Sequence, residues 1–494
     1  MKKVSEKKKR GEVYTPPYIV NIMLDYAMCP GHGNEHILDN SCGDGRFLCE
    51  IVRKYIIKYR MITGNVEGML KHNLETYIHG MDIDPVAVEK CKGNLDEVAK
   101  EFGIENVDWD IRCCDALTAD YTFGGEKPFY IIGNPPYVRI HNMDTPLYEF
   151  SWCKGMTDLY LAFWQKSLGE VAKGGVVCFI TPSSWVTSNA GKGMRKFVYD
   201  TKDLCGVIDF KDIQVFDDAQ TYVMVSLFRK GMGTKEKDPF IHYCEYNEST
   251  RKLTEGEYPD YDDVVSCEGG NVYIDLCPQQ DREVLRKVRQ QHKPIVRVKN
   301  GFATLADWAF IEEATAEYDL NNLSLCIDVY KAGSFDGKKM KCLFPYEGNP
   351  LKPIPLEDIE RQHPDAYEYL TDRKKLLSER AYDNEWYVFG RSQGLSDLYR
   401  YKLAINSIIK NRQNLNLKMV KSGDGIYGGL YMVTDDDKLD EQKQIALLSK
   451  AAGLLQTDDF VRYVFSLKKY KRGGFCTFSG KDAEAYLNWK LSEE

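Results

Sequence analysis

The phosphate-binding loop signature is missing from this 494-residue chain. No G-x-x-x-x-G-K-[ST] occurs anywhere, and the glycine turn after the first strand-like run, Cys42-Gly43-Asp44-Gly45, is not a G-x-G-x-x-G, which disfavours a triphosphate or dinucleotide cofactor. The fifteen cysteines contain no C-x-x-C and no regular spacing, which argues against a zinc ribbon or disulfide framework. Cys113-Cys114, His32 and His36 are explained by a buried thiol and loop histidines, and no metal is expected. No run approaches the roughly 18 apolar residues of a membrane helix. The opening Met1-Lys2-Lys3-Val4-Ser5-Glu6-Lys7-Lys8-Lys9-Arg10 has no apolar centre for a signal peptide. A cytoplasmic chain with no membrane partner is expected. An excess of positive charge is also lacking, the formal net charge being −8. Basic residues nevertheless cluster at Lys2 to Arg10, Arg373-Lys374-Lys375, Lys410 with Arg412, and Lys468-Lys469 with Lys471-Arg472. Location matters more than the sum, because only groups facing phosphates release counterions. Repeats and low-complexity segments are absent.

What is present is organised around Phe129-Tyr130-Ile131-Ile132-Gly133-Asn134-Pro135-Pro136-Tyr137. The apolar run reads as a buried strand, stopped by an Asn-Pro-Pro-Tyr loop. Each proline fixes its own φ and pushes its predecessor out of the α region, so Asn134 and Pro135 are held extended. The Asn134 side-chain carbonyl and the Pro135 backbone carbonyl are adjacent acceptors, and an aromatic ring follows. That combination makes a pocket for a planar group bearing NH2.

The rest of the first half supports that loop. Thr15 is a plausible N-cap with Pro16 as first helical residue, before a helix through Tyr18 to Ala27. Ile37-Leu38-Asp39 reads as a strand, Cys42-Gly43-Asp44-Gly45 as a tight turn, and a helix runs on to about Arg60. Such a turn presents backbone amides and a helix N-terminus at the carboxyl end of the strand. The second strand, 76–81, ends in Asp82-Ile83-Asp84-Pro85, and the third, 107–114, in Asp115. Three successive strands thus end in Asp at one edge, although two of the three are equally readable as ordinary caps. Further strands are expected at 176–182, 207–210 and 222–228, with a helix from about 158. Strands alternating with helices to about residue 230 indicate a doubly wound α/β sheet. The rhythm then breaks, and the boundaries expected are 1–235 for a catalytic domain and 236–494 for a second domain.

In this order the motifs resemble the gamma-type DNA adenine-N6 methyltransferases, the TaqI methyltransferase type. Residues 11 to 230 carry the series: a Gly-x-x-aromatic-Thr-Pro segment, the Gly turn, two strand-end acids, N-P-P-Y, a Leu-Tyr helix and Gln214-Val215-Phe216. The resemblance implies a Rossmann-like class I methyltransferase sheet with a C-terminal mixed α+β DNA-recognition domain. It also implies S-adenosyl-L-methionine as cofactor, held by Val13, Thr15, Asp39, Gly43, Gly45, Asp82, Ile83, Asp115 and Asn134. Asp82 would face the ribose, Ile83 the adenine ring and Asp115 the cofactor's amino group. Asn134, Pro135, Pro136 and Tyr137 would be catalytic. Tyr137 and Phe216 would pack on a flipped adenine, with Tyr222 as the fallback for Phe216. The turn departs from the fuller G-x-G-x-G form, which bears on contact details.

Implied partners are double-stranded DNA and a separate cognate restriction endonuclease, or none at all. The Thr-Pro segment lies close to the first residue, so no N-terminal nuclease is expected. Glu441-Gln442-Lys443 with Asp424 upstream is the E-x-K pattern that charged proteins carry by chance. N-P-P-Y also serves enzymes that methylate a protein glutamine amide or guanine N2 in RNA. A non-catalytic specificity subunit of the same fold is the other alternative, opposed by the intact loop and acids.

Overall fold

The computed structural model describes residues 14–493 apart from 32, 64–66, 141–149, 154, 156, 217–220, 235–238, 255–256, 258, 312–319, 334–338 and 381–384. It forms two compact units, Met1–Gln279 and Gln280–Glu494.

The first unit is built on nine strands: β1 (Ile37–Asp39), β2 (Ile78–Asp82), β3 (Asp110–Cys113), β4 (Tyr130–Gly133), β5 (Val176–Pro182), β6 (Leu204–Asp209), β7 (Val223–Arg229), β8 (His242–Asn247) and β9 (Lys252–Leu253). They make one sheet in the order β3-β2-β1-β4-β5-β7-β6-β8-β9. β7 runs antiparallel to both β5 and β6, and β9 runs antiparallel to β8. The other pairs are parallel. Helices α1 (Pro17–Tyr26), α2 (Arg46–Thr63), α3 (Glu67–Tyr77), α4 (Pro85–Glu101), α5 (Tyr160–Glu170) and α6 (Lys192–Thr201) accompany it.

The central strands are apolar at consecutive positions because both faces of the sheet are covered. Side chains alternate between faces, and the burial follows. Ile37, Ile132, Cys178 and Ile180 enter one core with α1, α2 and α4. Leu38, Ile131, Val177 and Phe179 enter the other with α5 and α6. Strand order reverses between β1 and β4, and in such sheets the crevice outside the carboxyl ends at the reversal is where ligands bind.

Three expectations shift. The first helix starts at Pro17 with Pro16 as its cap residue and no side-chain cap, because the Thr15 hydroxyl is engaged elsewhere. The first unit also continues past 235 to Gln279: β8 pairs in parallel with β6, and a hairpin of 265–268 with 271–274 buries Val265 and Ile274 in the same core as α6. His36 is no loop histidine. Its Nδ1 lies 2.8 Å from His79 Nε2, whose Nδ1 lies 2.7 Å from Asp110, inside the sheet.

The second unit is mixed α+β. Strands 296–300, 430–434, 402–405 and 417–420 form one sheet, and 340–343, 326–331 and 425–427 another. Helices Leu356–Gln362, Pro364–Asp372, Glu441–Leu455, Asp458–Ser466 and Gly480–Ser492 surround them. Glu441 and Lys443 lie in the first turn of their helix, where Asp440 caps the Lys443 N–H. Asp440, not Asp424, pairs with the Lys443 ammonium at 2.9 Å.

Candidate active site at the carboxyl edge of the sheet

β1 and β4 end side by side. Gly133 closes β4, and a Cβ there would stand 2.5 Å from Asp39 Oδ1, so only glycine leaves room for the carboxyl group. Asp39 is buried at 1% exposure and accepts the Ser41 N–H at 3.1 Å. Burial pushes its pKa up to about 8, with nearby Asp82 adding to the rise and the Ser41 N–H opposing it. The Ser41 hydroxyl donates to the Asn134 backbone carbonyl at 3.2 Å, tying the Gly turn to the start of the Pro-Pro loop.

β2 delivers Asp82, which joins two turns. Its Oδ2 accepts the Gly43 N–H at 2.9 Å and its Oδ1 the Asp84 N–H at 2.9 Å. The Cys42 N–H donates to the Met81 carbonyl at 3.0 Å, and the Cys114 N–H to the Asp82 carbonyl at 2.9 Å. Gly43 and Gly45 have φ of 53° and 88°, the left-handed region that favours glycine. A Cβ on Gly45 would meet Cys91 Sγ at 2.7 Å, whereas Gly43 has open space around it. Ile83 is 68% exposed at the β2 edge. Asp115 begins the turn after β3 and accepts the Leu117 N–H at 2.9 Å.

The Pro-Pro loop is gripped from both sides. Thr15, 2% exposed, accepts a hydrogen bond of 3.1 Å from Asn134 Nδ2. The Tyr137 hydroxyl donates to the Ile180 carbonyl at 2.8 Å, and burial holds its pKa well above the ordinary phenol value. The Tyr137 ring is 6.3 Å from that of Tyr160, edge to face, and 6.0 Å from that of Phe216. Phe216 itself is 2% exposed, packed in the core below Tyr137. Tyr222 leads into β7 and offers its carbonyl to the Ser183 N–H. Pro135 is buried and Pro136 partly so.

The structure therefore brings Thr15, Asp39, Gly43, Gly45, Asp82, Asn134, Tyr137 and Phe216 into one bonded or packed constellation. Ile83 and Asp115 lie at the same edge on neighbouring strands, and Val13 falls outside the described residues. Three contributors escaped the sequence reading: Ser41, Gly133 and Asn40. Buried Asn40 donates to the Tyr121 hydroxyl at 3.0 Å and to Ser167 at 2.9 Å. Ser41 and Asn40 flank the Gly turn, which was the available signal; Gly133 shows its reason only once β1 stands beside β4. Among the described residues no three His, Cys, Asp or Glu side chains gather as metal ligands.

Comparison with known proteins gives a consistent result. Residues 76–216 match the Eco57I restriction-modification methylase family. The chain is 25% identical over 81% of its length to the type II restriction enzyme and methyltransferase RM.Eco57I of Escherichia coli, covering 49% of that protein. It is 26% identical over 48% of its length to the type II methyltransferase M.BstVI of Geobacillus stearothermophilus, covering 44% of it. The chain thus spans about half the length of these curated relatives. Among solved structures, the type IIL restriction-modification enzyme MmeI in complex with DNA superposes with a TM-score of 0.60 at 14% identity, over 94% of this chain and 63% of that one. The matched segment is thus similar to the Eco57I-type restriction-modification methylases, and the superposition shows a shared fold.

Proposed function

We propose that the chain is a site-specific DNA methyltransferase that modifies N6 of adenine with S-adenosyl-L-methionine, within a restriction-modification system or as an orphan methylase. The observation that carries this is the convergence of Asn134, Asp39 and Asp82 at the strand reversal, with Asn134 tied to Thr15 and Ser41. The residues fit the cofactor. The Gly turn has left-handed backbone and open space at Gly43, the room that close approach of a ligand to backbone requires. Asp82 and Ile83 stand at the end of the second strand, where a nucleoside is gripped in this architecture, and Thr15, Asp39 and Asp115 complete the edge. S-adenosyl-L-methionine, when bound, supplies an electrophilic sulfonium methyl group.

The protein's share of the chemistry follows from the loop. Adenine N6 is a poor nucleophile because its lone pair is delocalised into the ring. The Asn134 side-chain carbonyl and the Pro135 carbonyl would accept hydrogen bonds from its two N–H groups. That favours a pyramidal nitrogen with its lone pair free, a gain largest in the transition state. The new C–N bond forms as the C–S bond breaks, and the N6 proton leaves to solvent, so no covalent enzyme intermediate is needed. A target base cannot be reached inside the duplex and must rotate out of the stack, at a cost of a few kcal/mol. Stacking on Tyr137 would offset part of that cost. The second unit would supply target recognition, and a separate restriction endonuclease is the natural partner in such a system.

The test is transfer of labelled methyl to mixed-sequence duplex DNA, with RNA and protein extract in parallel, followed by nucleoside analysis. N6-methyladenine at one sequence context is the expected product. Label confined to RNA or protein would overturn the substrate, and no label with cofactor bound would point to a specificity subunit.

A further inference from the structure

The second unit carries several basic clusters, and their surroundings separate them. Arg373 is folded back on its own helix, with its guanidinium 3.8 Å above the Tyr369 ring and a bond to the Tyr369 carbonyl at 3.1 Å. Lys374 faces the Trp386 ring at 5.4 Å. Lys469 is neutralised by Asp482 at 2.6 Å. Lys410, Arg412, Lys471 and Arg472 differ: all four are exposed, and among the described residues the acid paired with them is Asp458, 3.8 Å from Arg412.

They share one built ridge. Strands Tyr470–Lys471 and Phe475–Thr477 form a hairpin within a three-stranded sheet, and its turn uses Gly473 and Gly474 at φ of 82° and 77°. Strand Ile408–Ile409 is the third strand, paired with Phe475–Thr477. The turn that follows is locked: the Asn411 side chain caps the Asn414 N–H at 3.2 Å, and Asn406 Nδ2 donates to the Asn414 carbonyl at 2.8 Å. Lys410 Nζ bridges the two by donating to the Gly473 carbonyl at 3.0 Å. Gln413 and Arg412 are exposed on one turn, Lys471 and Arg472 on the other.

The exposed turns at one end of this small sheet, and not its face, can reach into the major groove of B-DNA, where Arg reads guanine and Gln reads adenine, while lysine and other basic groups position the protein on phosphates. We infer that this ridge, the 410–414 turn with the 470–475 hairpin, enters a DNA groove, with Arg412 and Lys471 on phosphates and Gln413 and Arg472 at base edges. The inference rests on the proposed DNA methyltransferase reading. Its alternatives are a solvated basic face or a contact with another polyanion.

The test uses the full chain with Arg412→Ala, Lys471→Ala, Gln413→Ala and Arg472→Ala, in duplex binding across a salt series and sequencing of methylated positions. Binding of S-adenosylmethionine and the melting temperature serve as fold controls. Arg412→Ala and Lys471→Ala should weaken all sequences alike, each lowering the log–log salt slope by about one. Gln413→Ala and Arg472→Ala should relax discrimination at one base pair by roughly ten- to a hundredfold. A wild type that methylates DNA at a defined site, with variants of unchanged slope and site, overturns the ridge and leaves the enzyme reading standing. A wild type that neither binds nor methylates duplex DNA overturns the reading and the ridge together.

Discussion

The Asn134 side-chain amide donates to the Thr15 hydroxyl at 3.1 Å, across 119 residues of chain. The bond leaves the amide nitrogen occupied and so orients the side-chain carbonyl. Asn134→Ala should keep cofactor binding and lose roughly 10²- to 10³-fold in methyl transfer, the usual cost of one such preorganised partner. Thr15→Val, which removes the hydroxyl at equal volume, should lower kcat roughly ten- to a hundredfold through misorientation, and Thr15→Ser should restore it. A normal rate for Asn134→Ala in single-turnover transfer would remove the pocket assignment.

Asp39 supplies a pH signature. Its folded-state pKa is raised from 3.8 to about 8, so the folded protein binds this proton more tightly than the unfolded chain does. The stability it contributes is full below about pH 4 and is lost progressively as pH rises through about 8. Asp39→Asn removes the titration while nearly keeping the shape. Denaturant midpoints between pH 5 and 8 should therefore fall more steeply for the wild type than for the variant; parallel slopes would contradict a buried, proton-holding Asp39.

The two glycines of the turn should behave differently. Gly45→Ala combines left-handed backbone with a Cβ 2.7 Å from Cys91 Sγ, and overpacking adds about 1–3 kcal/mol to the backbone strain. Gly43→Ala meets open space and carries the backbone cost alone, about 1–2 kcal/mol. Gly43→Ala should instead weaken S-adenosylmethionine binding, because its added methyl stands where the ligand would approach. Calorimetric melting and cofactor titration of both variants separate the two effects.

Tyr137 has two separable parts. Tyr137→Phe leaves the Ile180 carbonyl without its donor, costing about 1–3 kcal/mol of stability, yet it keeps the ring and should transfer methyl within several-fold of wild type. Tyr137→Ala removes the ring beside Phe216. If that ring stacks on the target base, about 1–3 kcal/mol of base stacking goes with it, and the loss should appear in kcat/KM for DNA while cofactor affinity holds. Equal activity of both variants would exclude the stacking role.

The parts legible in the sequence were those fixed within a few residues. Prolines 135 and 136 constrain their own backbone, glycines 43 and 45 mark a left-handed turn, and consecutive apolar residues from Val176 to Ile180 announce a strand covered on both faces. The doubly wound sheet and its strand-end acids followed from such local signals. Tertiary structure alone decided that Gly133 must lack a side chain, because the group that fills its space, Asp39, comes from a different strand. It also turned Thr15 from a helix cap into a partner of Asn134, and extended the first unit to Gln279 by pairing β8 with β6. In each case the deciding contact joins segments far apart in the chain, and a packing contact of that kind leaves no periodicity, spacing or turn chemistry in either segment from which it could be read.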